Sequence, residues 1–226
     1  MKDYTIKIKL LSDALPGSGE GYGAVIDADI VFDELGLPFI PAKRIKGCLR
    51  ESANDVCAML CESGLEGMSL NFSRENEDEF DMVKEIFGKQ GQEKSTPIYF
   101  SNLTLPQYED NFNALSYFKH EYPDVVSTEG IVETFTYIRQ QTAIEEESGT
   151  ADDHSLRSIR VLKKGAEFQG TVSLEKQEPQ VEYLLQLACM NLRRFGTKRT
   201  RGFGEVECRL LKDGREINVD FLWEES

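Results

Sequence analysis

Five cations and three glycines, with no acidic residue, are concentrated in the fourteen residues from Asn191 to Gly204. Glycine leaves backbone N–H groups accessible and lets another backbone come close, and cations add attraction for phosphate. Arg193 and Arg194 have a simpler explanation, because cations at the end of a helix complement its dipole. The other residues predict a nucleic-acid contact, in which the aromatic ring either stacks on a base or is buried. The predicted contact residues are Gly196, Lys198, Arg199, Arg201, Gly202, Phe203 and Gly204.

A second group of cations lies at the start of a predicted helix of about twenty residues that Pro41 opens. Lys43, Lys46 and Arg50 have the spacing i, i+3 and i+7, so they share a face opposite the apolar stripe, and Arg44 lies beside them. Cations in a first helical turn oppose the helix dipole by roughly 0.3–1 kcal/mol each. An anion bound at the helix N-terminus would explain this conflict, since free N–H groups and cations would both face it. The alternative is a solvated basic face.

Three aspartates alternate with apolar residues between positions 27 and 33. In an extended strand, Asp27, Asp29 and Asp33 would project from one face. Neighbouring carboxylates can hold Mg²⁺, and one of them can instead act as a general base. The alternative is the wet face of a half-buried strand, with Asp33 as a turn residue. The two histidines, His120 and His154, have no partner visible in the sequence.

The overall charge restricts where nucleic acid can bind. The formal net charge is −14, yet the two cationic segments hold nine of the 26 lysines and arginines. An acidic protein does not bind nucleic acid indiscriminately, so any such binding must be local. The five cysteines are odd in number and form no Cys-x-x-Cys pair, and neither a signal peptide core nor a membrane-length apolar run is present. These features predict a soluble, cytoplasmic protein without structural disulfides.

Periodicity predicts an α+β chain. Strands are expected at residues 4–11, 24–33, 97–101, around Ile138, at 158–162, 167–174 and 204–211. Helices are expected from Pro41, at residues 76–88 and 107–119, and from Pro179 to a stop at Gly196. The polar residues 145–153 are typical of a mobile loop. This order predicts a ferredoxin-like core with insertions, in one domain over residues 1–226 with inserted segments around 62–95 and 107–155.

The residues Gly-Leu-Pro-Phe-Ile-Pro-Ala-Lys-Arg-Ile-Lys-Gly-Cys-Leu-Arg, ending at Arg50, resemble a block of the RAMP superfamily (repeat-associated mysterious proteins). These are CRISPR-associated RNA-binding proteins. Gly196–Val206 is similar to their C-terminal glycine-rich loop, and residues 98–102 and 161–170 fit their intervening strands. The sequence around residues 27–50 and 138–165 looks closest to that of type III-D RAMP subunits and of target-cleaving backbone subunits.

The resemblance implies a modified RNA-recognition-motif fold and membership of a type III CRISPR effector. The implied partners are CRISPR RNA, target RNA, and the other RAMP, large and small subunits. Counting back from the block places Asp27 on the position that cuts guide-paired target RNA, so Asp27 and Asp29 become the predicted catalytic residues and Mg²⁺ ligands of a metal-dependent endoribonuclease. The chain differs in having Asp29 where those subunits often have proline, and Ala42-Lys-Arg where they have Gly-Ser-Ser.

Three alternatives remain open at this point. A non-catalytic cap subunit would bind RNA without cutting it. A guide-processing endoribonuclease would use His, Tyr or Lys for general acid–base chemistry. A protein-only scaffold would bind no RNA.

Overall fold

The chain folds into helices and strands, and the strands form two sheets. The computed structural model describes residues 1–17, 29–63, 82–88, 97–142, 157–175, 178–198 and 201–219. The strands are β1 Lys2–Leu10, β2 Ile98–Phe100, β3 Thr136–Gln141, β4 Arg157–Leu162, β5 Glu167–Leu174, β6 Val206–Lys212 and β7 Arg215–Glu216. The helices are α1 Ala42–Glu62, α2 Met82–Phe87, α3 Tyr108–Glu121, α4 Thr128–Phe135 and α5 Pro179–Asn191.

The main sheet has the order β2-β5-β1-β6-β7, and every pairing in it is antiparallel. Every second residue of β1 is buried, so Tyr4, Ile6, Ile8 and Leu10 form the middle of the core. Its neighbours are fixed in register by pairs such as Ile8↔Phe168 and Ile8↔Cys208. If β1, β2, β5 and β6 are taken as the four core strands, their spatial order is that of the ferredoxin-like fold, and the α+β prediction is confirmed.

Helices α1 and α5 cover one face of this sheet. The apolar stripe of α1 is buried at Ile45, Leu49, Val56 and Leu60, as its periodicity predicts. The two helices also share a hydrogen bond, in which Ser52 Oγ donates to the carbonyl of Ala188 at 2.8 Å. The opposite face of the sheet is polar and carries mutually paired charges, including Lys9 with Glu167 at 2.9 Å.

A separate two-stranded sheet, β3 with β4, follows the helical insertion α3–α4. Its base is joined to the main body by two features. Ala14 and Leu162 form an antiparallel bridge, and the amide of Lys163 donates to the carbonyl of Phe135 at 2.9 Å. The hairpin therefore stands beside the end of β1.

Five parts of the chain differ from the sequence-based expectation or fall outside the described residues. The described part of the predicted strand 24–33 forms only an isolated bridge, Phe32↔Pro38, because the Asp33 carboxylate bends the chain. Helix α5 ends at Asn191 instead of Gly196. Helix α4 was not expected from the sequence, and Ser127 caps it by accepting a hydrogen bond from the amide of Gly130. The predicted loop 145–153 and most of the predicted helix 76–88 lie outside the described residues, and α2 is the part of that helix seen.

Within the described ranges, none of the helices combines the length and the apolar character that crossing a membrane requires.

A buried polar triad at the edge of the core yields a stability prediction. Glu182, which is 5% exposed, accepts a hydrogen bond from the Tyr4 hydroxyl at 2.6 Å and pairs with Lys212 Nζ at 2.6 Å. Burial, and then the hydrogen bond to Glu182, raise the pKa of Tyr4, so its hydroxyl stays protonated and remains a donor. Glu182→Ala should lower the free energy of unfolding by about 2–3 kcal/mol, because both partners lose their acceptor. Urea unfolding measures this change.

Glu182→Gln is the control, because it keeps an acceptor for Tyr4 and removes only the charge that faces Lys212. It should cost less than the alanine variant. Equal losses for both variants would show that the charge, and not the buried hydrogen bond, carries the effect.

Candidate nucleic-acid interface

The start of α1 presents its cations to solvent. Lys43, Arg44 and Arg50 are exposed and Lys46 is half-buried, while the apolar stripe faces the sheet. Pro41 precedes the helix and no acidic residue lies in the first turn. The amide of Ala42 donates to Asn102 Oδ1 at 2.9 Å, which satisfies one of the N-terminal donors from another part of the chain.

Lys46 differs from its neighbours in its electrostatic environment. Partial burial, and then the charge of Arg50, lower the pKa of its amine below the ordinary value of 10.5. A phosphate beside Lys46 and Arg50 would supply a counter-charge that offsets the repulsion between them. This face of α1 is therefore suited to an anion.

Two glycines of the C-terminal loop lie where the backbone comes very close to a carbonyl group. A Cβ atom on Gly196 would lie 2.4 Å from the carbonyl oxygen of Leu15, and one on Gly204 would lie 1.9 Å from that of Phe195. Both glycines have positive φ, of +92° and +73°. The loop is held here by hydrogen bonds from the Thr197 amide to Leu15 O at 2.9 Å and from the Gly204 amide to Asp13 O at 2.8 Å.

The third glycine of this loop is in a different situation. Gly202 has φ +78°, and among the described residues other than its chain neighbours no atom lies within 4 Å of a Cβ built on it. Its neighbour Arg201 is exposed, and the Arg201 amide donates to the carbonyl of Lys198 at 2.9 Å. Arg199, which the sequence also places in this contact, lies outside the described residues.

The two cationic segments meet at Gly17. A Cβ atom on Gly17 would lie 3.7 Å from Thr197 Cγ2 and 3.8 Å from Arg44 Nη2. The start of α1 and the glycine-rich loop are far apart in sequence. Their shared contact with Gly17 shows that they are adjacent in space. The cations of the two segments and two of the loop glycines are called here the cationic junction, which comprises Lys43, Arg44, Lys46, Arg50, Gly196, Lys198, Arg201 and Gly202.

One face of β3 contacts the loop and the end of β1. Tyr137, Arg139 and Gln141 alternate along this strand, so their side chains share a face. The Tyr137 hydroxyl donates to Asp13 Oδ2 at 2.5 Å, and Lys198 Nζ donates to Gln141 Oε1. The guanidinium carbon of Arg139 lies 4.8 Å from the centroid of the Phe203 ring.

This contact decides the fate of Phe203, for which the sequence left both base stacking and burial open. The ring is only 2% exposed and Arg139 lies over it, so neither ring face is open to a nucleobase. Of the two fates that the sequence left open, burial is the one observed. Arg139 instead adds an exposed cation beside the cationic junction.

The predicted catalytic aspartates are placed differently from one another. Asp29 is 7% exposed, and its Oδ1 accepts from the Ile30 amide at 2.7 Å and lies 3.1 Å from Arg160 Nε. That contact with Arg160 is ionic and is not aligned as a hydrogen bond. Asp33 is a turn residue, because its Oδ1 accepts from the amides of Leu35 and Leu37, both at 2.9 Å. Asp27 lies outside the described residues.

Tyr108 completes the environment of the turn. Its hydroxyl donates to Asp33 Oδ2 at 2.9 Å, and burial followed by this hydrogen bond raises the pKa of Tyr108 to about 12. Both oxygens of Asp33 are thus engaged. Within the described ranges, no group of three His, Cys, Asp or Glu side chains is arranged to hold a metal ion. The histidine that the structure describes, His120, is a surface residue whose Nε2 lies 3.9 Å from Glu121 Oε1.

Comparison with known proteins agrees with this architecture. A sequence profile of the RAMP superfamily matches residues 7–207. The chain belongs to the RAMP superfamily.

Solved structures show the same fold for this RAMP protein. A chain in the cryo-EM structure of the type III-B Cmr-beta complex bound to cognate target RNA superposes with a TM-score of 0.64 at 15% identity, covering 95% of this chain and 99% of that chain. A chain of the same complex in its apo state gives a TM-score of 0.64 at 14% identity, over 94% and 98% of the two chains. No curated protein matches the sequence.

Sequence reasoning missed several residues of this RAMP surface. Asp13, Asn102, Tyr137 and Arg139 are each far in sequence from the residues they contact. The alternation of Tyr137, Arg139 and Gln141 was a usable signal, because three polar or aromatic residues on one strand face indicate a contact on that face. Asp13 and Asn102 carry no comparable pattern.

The glycines of this RAMP loop provide a prediction about stability. Gly202→Ala should cost about 1 kcal/mol, the cost of a left-handed backbone for an L-residue with no clash added. Gly204→Ala should cost more than about 3 kcal/mol, since its Cβ would overlap the Phe195 carbonyl and the backbone has to move. Thermal unfolding of both variants measures the difference.

Gly165→Ala is a matched control for the first variant, because Gly165 also has positive φ, +90°, and open space around its Cβ position. It should behave like Gly202→Ala in unfolding. A Gly204→Ala protein as stable as these two would mean that the close approach to Phe195 is not required.

Proposed function

We propose that this chain is a CRISPR RNA-binding subunit of a type III effector ribonucleoprotein. The observation that carries the proposal is the meeting of two cationic segments at Gly17 on a protein whose net charge is −14. Membership of the RAMP superfamily supports it, as does the shared fold with chains of a type III-B complex that was solved with cognate target RNA.

The chemistry of the cationic junction suits a nucleic-acid backbone. Arginine, lysine and free backbone N–H groups contact phosphates, and such contacts position RNA without reading its sequence. A guide RNA needs this property, because its spacer differs from one guide to the next. The buried ring of Phe203 removes one route to base stacking, so the described loop offers charge and hydrogen bonds in preference to base readout.

The acidic remainder of the surface favours a single path for RNA. Away from the cationic junction, cations such as Lys9 and Arg209 are paired with carboxylates of the same sheet face. These pairs leave little net attraction for phosphate on that face. RNA should therefore follow the junction between α1 and the loop.

Target cleavage is the second part of the proposal. Asp27 would act as the general base that promotes attack of a target 2′-hydroxyl on its adjacent phosphate. Asp29 is better suited to a positioning role, because its carboxylate is already engaged by Arg160 of β4. Mg²⁺, when bound, would neutralise charge on the phosphate. The described residues supply no ligand set for it, so none is assigned.

The RNA-binding proposal predicts a salt-dependent loss. Replacing Lys43, Lys46 and Arg50 with alanine should weaken binding of single-stranded guide RNA without unfolding the protein, since their side chains lie outside the apolar core. Each lost phosphate contact should reduce the slope of log affinity against log salt by roughly 0.7. Filter binding across a salt series measures both the affinity and the slope.

A triple variant of equal charge change is the control, with Lys7, Lys9 and Arg209 on the polar sheet face replaced by alanine. This control should keep the parent slope, because RNA does not follow that face. If the two triple variants lose affinity equally, the effect comes from overall charge and the cationic junction is not the site. Absence of RNA from the purified complex would support a protein-only scaffold.

The cleavage proposal predicts separate effects for the two aspartates. Asp27→Ala should abolish cutting of a complementary target in Mg²⁺ while guide, target binding and assembly remain intact. Asp29→Ala should instead lower protein stability, because it leaves the largely buried Arg160 without its counter-ion. Gel analysis of labelled target and thermal unfolding of the chain measure the two effects.

Three outcomes would redirect the proposal. A parent complex that binds target but never cuts it in Mg²⁺ or Mn²⁺ would be a non-catalytic subunit. Loss of cleavage with Asp29→Ala at unchanged stability would move the catalytic role to Asp29. Cutting of precursor guide RNA by the isolated chain would identify a guide-processing endoribonuclease.

A further inference from the structure

Three aromatic side chains of the helical insertion are exposed next to one another. Tyr117, Phe118 and Tyr122 are 59%, 46% and 54% exposed. The ring centroids of Tyr117 and Phe118 lie 5.7 Å apart in an edge-to-face arrangement, and those of Phe118 and Tyr122 lie 6.3 Å apart. These three residues are called here the aromatic patch. Contiguous exposed apolar patches with polar surroundings are typical of interaction sites.

The packing of α3 against the core does not require these rings. Phe112 and Leu115, three residues apart, share the face of α3 that packs against the core. Tyr117 lies roughly 140–160° around the helix from both of them. Phe118 and Tyr122 are one turn apart, which brings their rings together on the exposed side. The aromatic patch is therefore directed away from the core.

Hydrogen bonds near both ends of α3 hold the patch in place. At the start of the helix, the Tyr108 hydroxyl donates to Asp33 Oδ2 at 2.9 Å. Near its end, Lys119 Nζ donates to Thr128 Oγ1 of α4 at 2.6 Å. A surface that is ordered before binding loses less conformational entropy when a partner docks on it.

Carboxylates flank the aromatic patch along the chain. From position 108 to position 135 the chain has one lysine, one histidine and six acidic residues, which are Glu109, Asp110, Glu121, Asp124, Glu129 and Glu133. Glu121 and Asp124 are exposed and lie on either side of Tyr122 in the sequence. The lysine is Lys119, whose ammonium already donates to Thr128. The patch therefore combines aromatic rings with negative charge.

Arginine is the side chain that suits this combination best. Its guanidinium stacks on the face of an aromatic ring and its N–H groups pair with carboxylates, while its stem covers apolar surface. A lysine ammonium can also lie over a ring and pair with a carboxylate.

We propose that the aromatic patch binds a basic segment of another protein, with an arginine or lysine of that segment placed on the rings. The same cation pairs with the carboxylate of Glu121 or Asp124. This partner is a different subunit of the ribonucleoprotein, so the inference rests on the assembly proposed above.

RNA fits the patch less well than a basic polypeptide. Sites for single-stranded nucleic acid combine aromatic rings with a cationic groove, whereas carboxylates flank these rings and repel phosphate. A second copy of this chain also fits less well, because RNA occupies its cationic junction in the proposal above. A basic segment of a different subunit meets neither conflict.

Photo-crosslinking in the assembled ribonucleoprotein tests the proposal. With p-benzoylphenylalanine in place of Phe118, irradiation should join this chain to a basic segment of another subunit, which mass spectrometry identifies. The same probe in place of Met59, which is 50% exposed on α1, is the control and should not give this crosslink. A crosslink from position 118 to RNA, to a second copy of this chain or to an acidic or uncharged segment would overturn the proposal, as would the absence of any crosslink.

Charge reversal beside the patch provides an independent measurement. Glu121→Lys with Asp124→Lys should reduce incorporation into the assembly by at least about tenfold, because the new ammonium groups repel the cation of the partner. Asp55→Lys with Glu62→Lys is the matched control, since it makes the same charge change at two exposed carboxylates of a different helix, α1. It should assemble like the parent. Equal incorporation of the two double variants, whether high or low, would overturn the proposal.

Removal of the rings separates this inference from the proposed function. The triple variant Tyr117→Ser, Phe118→Ser and Tyr122→Ser should lose assembly by at least about tenfold, while the isolated chain keeps the parent affinity for guide RNA. Lost guide affinity would show that bases stack on the patch, which overturns the protein contact and leaves the proposed RNA binding standing. Assembly equal to that of the parent would overturn the patch alone. A parent chain that enters no ribonucleoprotein would overturn both proposals.

Discussion

Close backbone contact between the end of β1 and the glycine-rich loop is the constraint on which the rest of the structure depends. Gly196 lies where a Cβ atom would collide with the Leu15 carbonyl, so glycine there lets the loop reach the segment that follows β1. Gly204 makes a similar close contact with the Phe195 carbonyl, within the loop itself. The hydrogen bonds from Thr197 and Gly204 then fix the loop to Leu15 and Asp13. Since β1 is also the central strand of the sheet, the loop is positioned by the most deeply buried element of the protein.

This contact also determines the electrostatics of the cationic junction. The loop is held next to Gly17, and Gly17 lies next to Arg44, so cations from two distant segments accumulate at one place. Within α1, partial burial and then the charge of Arg50 lower the pKa of Lys46. Among the other described residues, several cations are paired with carboxylates, as Lys9 is with Glu167 and Arg209 with Glu207. Positive charge is thus concentrated at one place on a protein whose net charge is negative.

The inserted β3–β4 hairpin contacts the same region, where the glycine-rich loop meets the segment that follows β1. One face of β3 meets Asp13, Phe203 and Lys198, which links the hairpin to both the end of β1 and the loop. Asp13 also accepts from the amide of Lys164, so its carboxylate joins the two sides of the hairpin base. In Tyr137 the hydrogen bond to Asp13, with burial, raises the pKa and keeps the hydroxyl protonated as a donor.

The sequence by itself determined the elements whose patterns are local. Alternation predicted β5 with its observed bounds, and the apolar stripe after Pro41 predicted α1, because side-chain period depends on backbone conformation alone. Only the tertiary structure decided which fate Phe203 takes, that Asp29 pairs with Arg160, and that Arg44 lies beside Gly17. Each of these depends on contacts between residues far apart in the chain, and no local period encodes such a contact. Asp33, by contrast, is a local case, because its carboxylate accepts from the amides of Leu35 and Leu37 and forms the turn that the sequence allowed at that position.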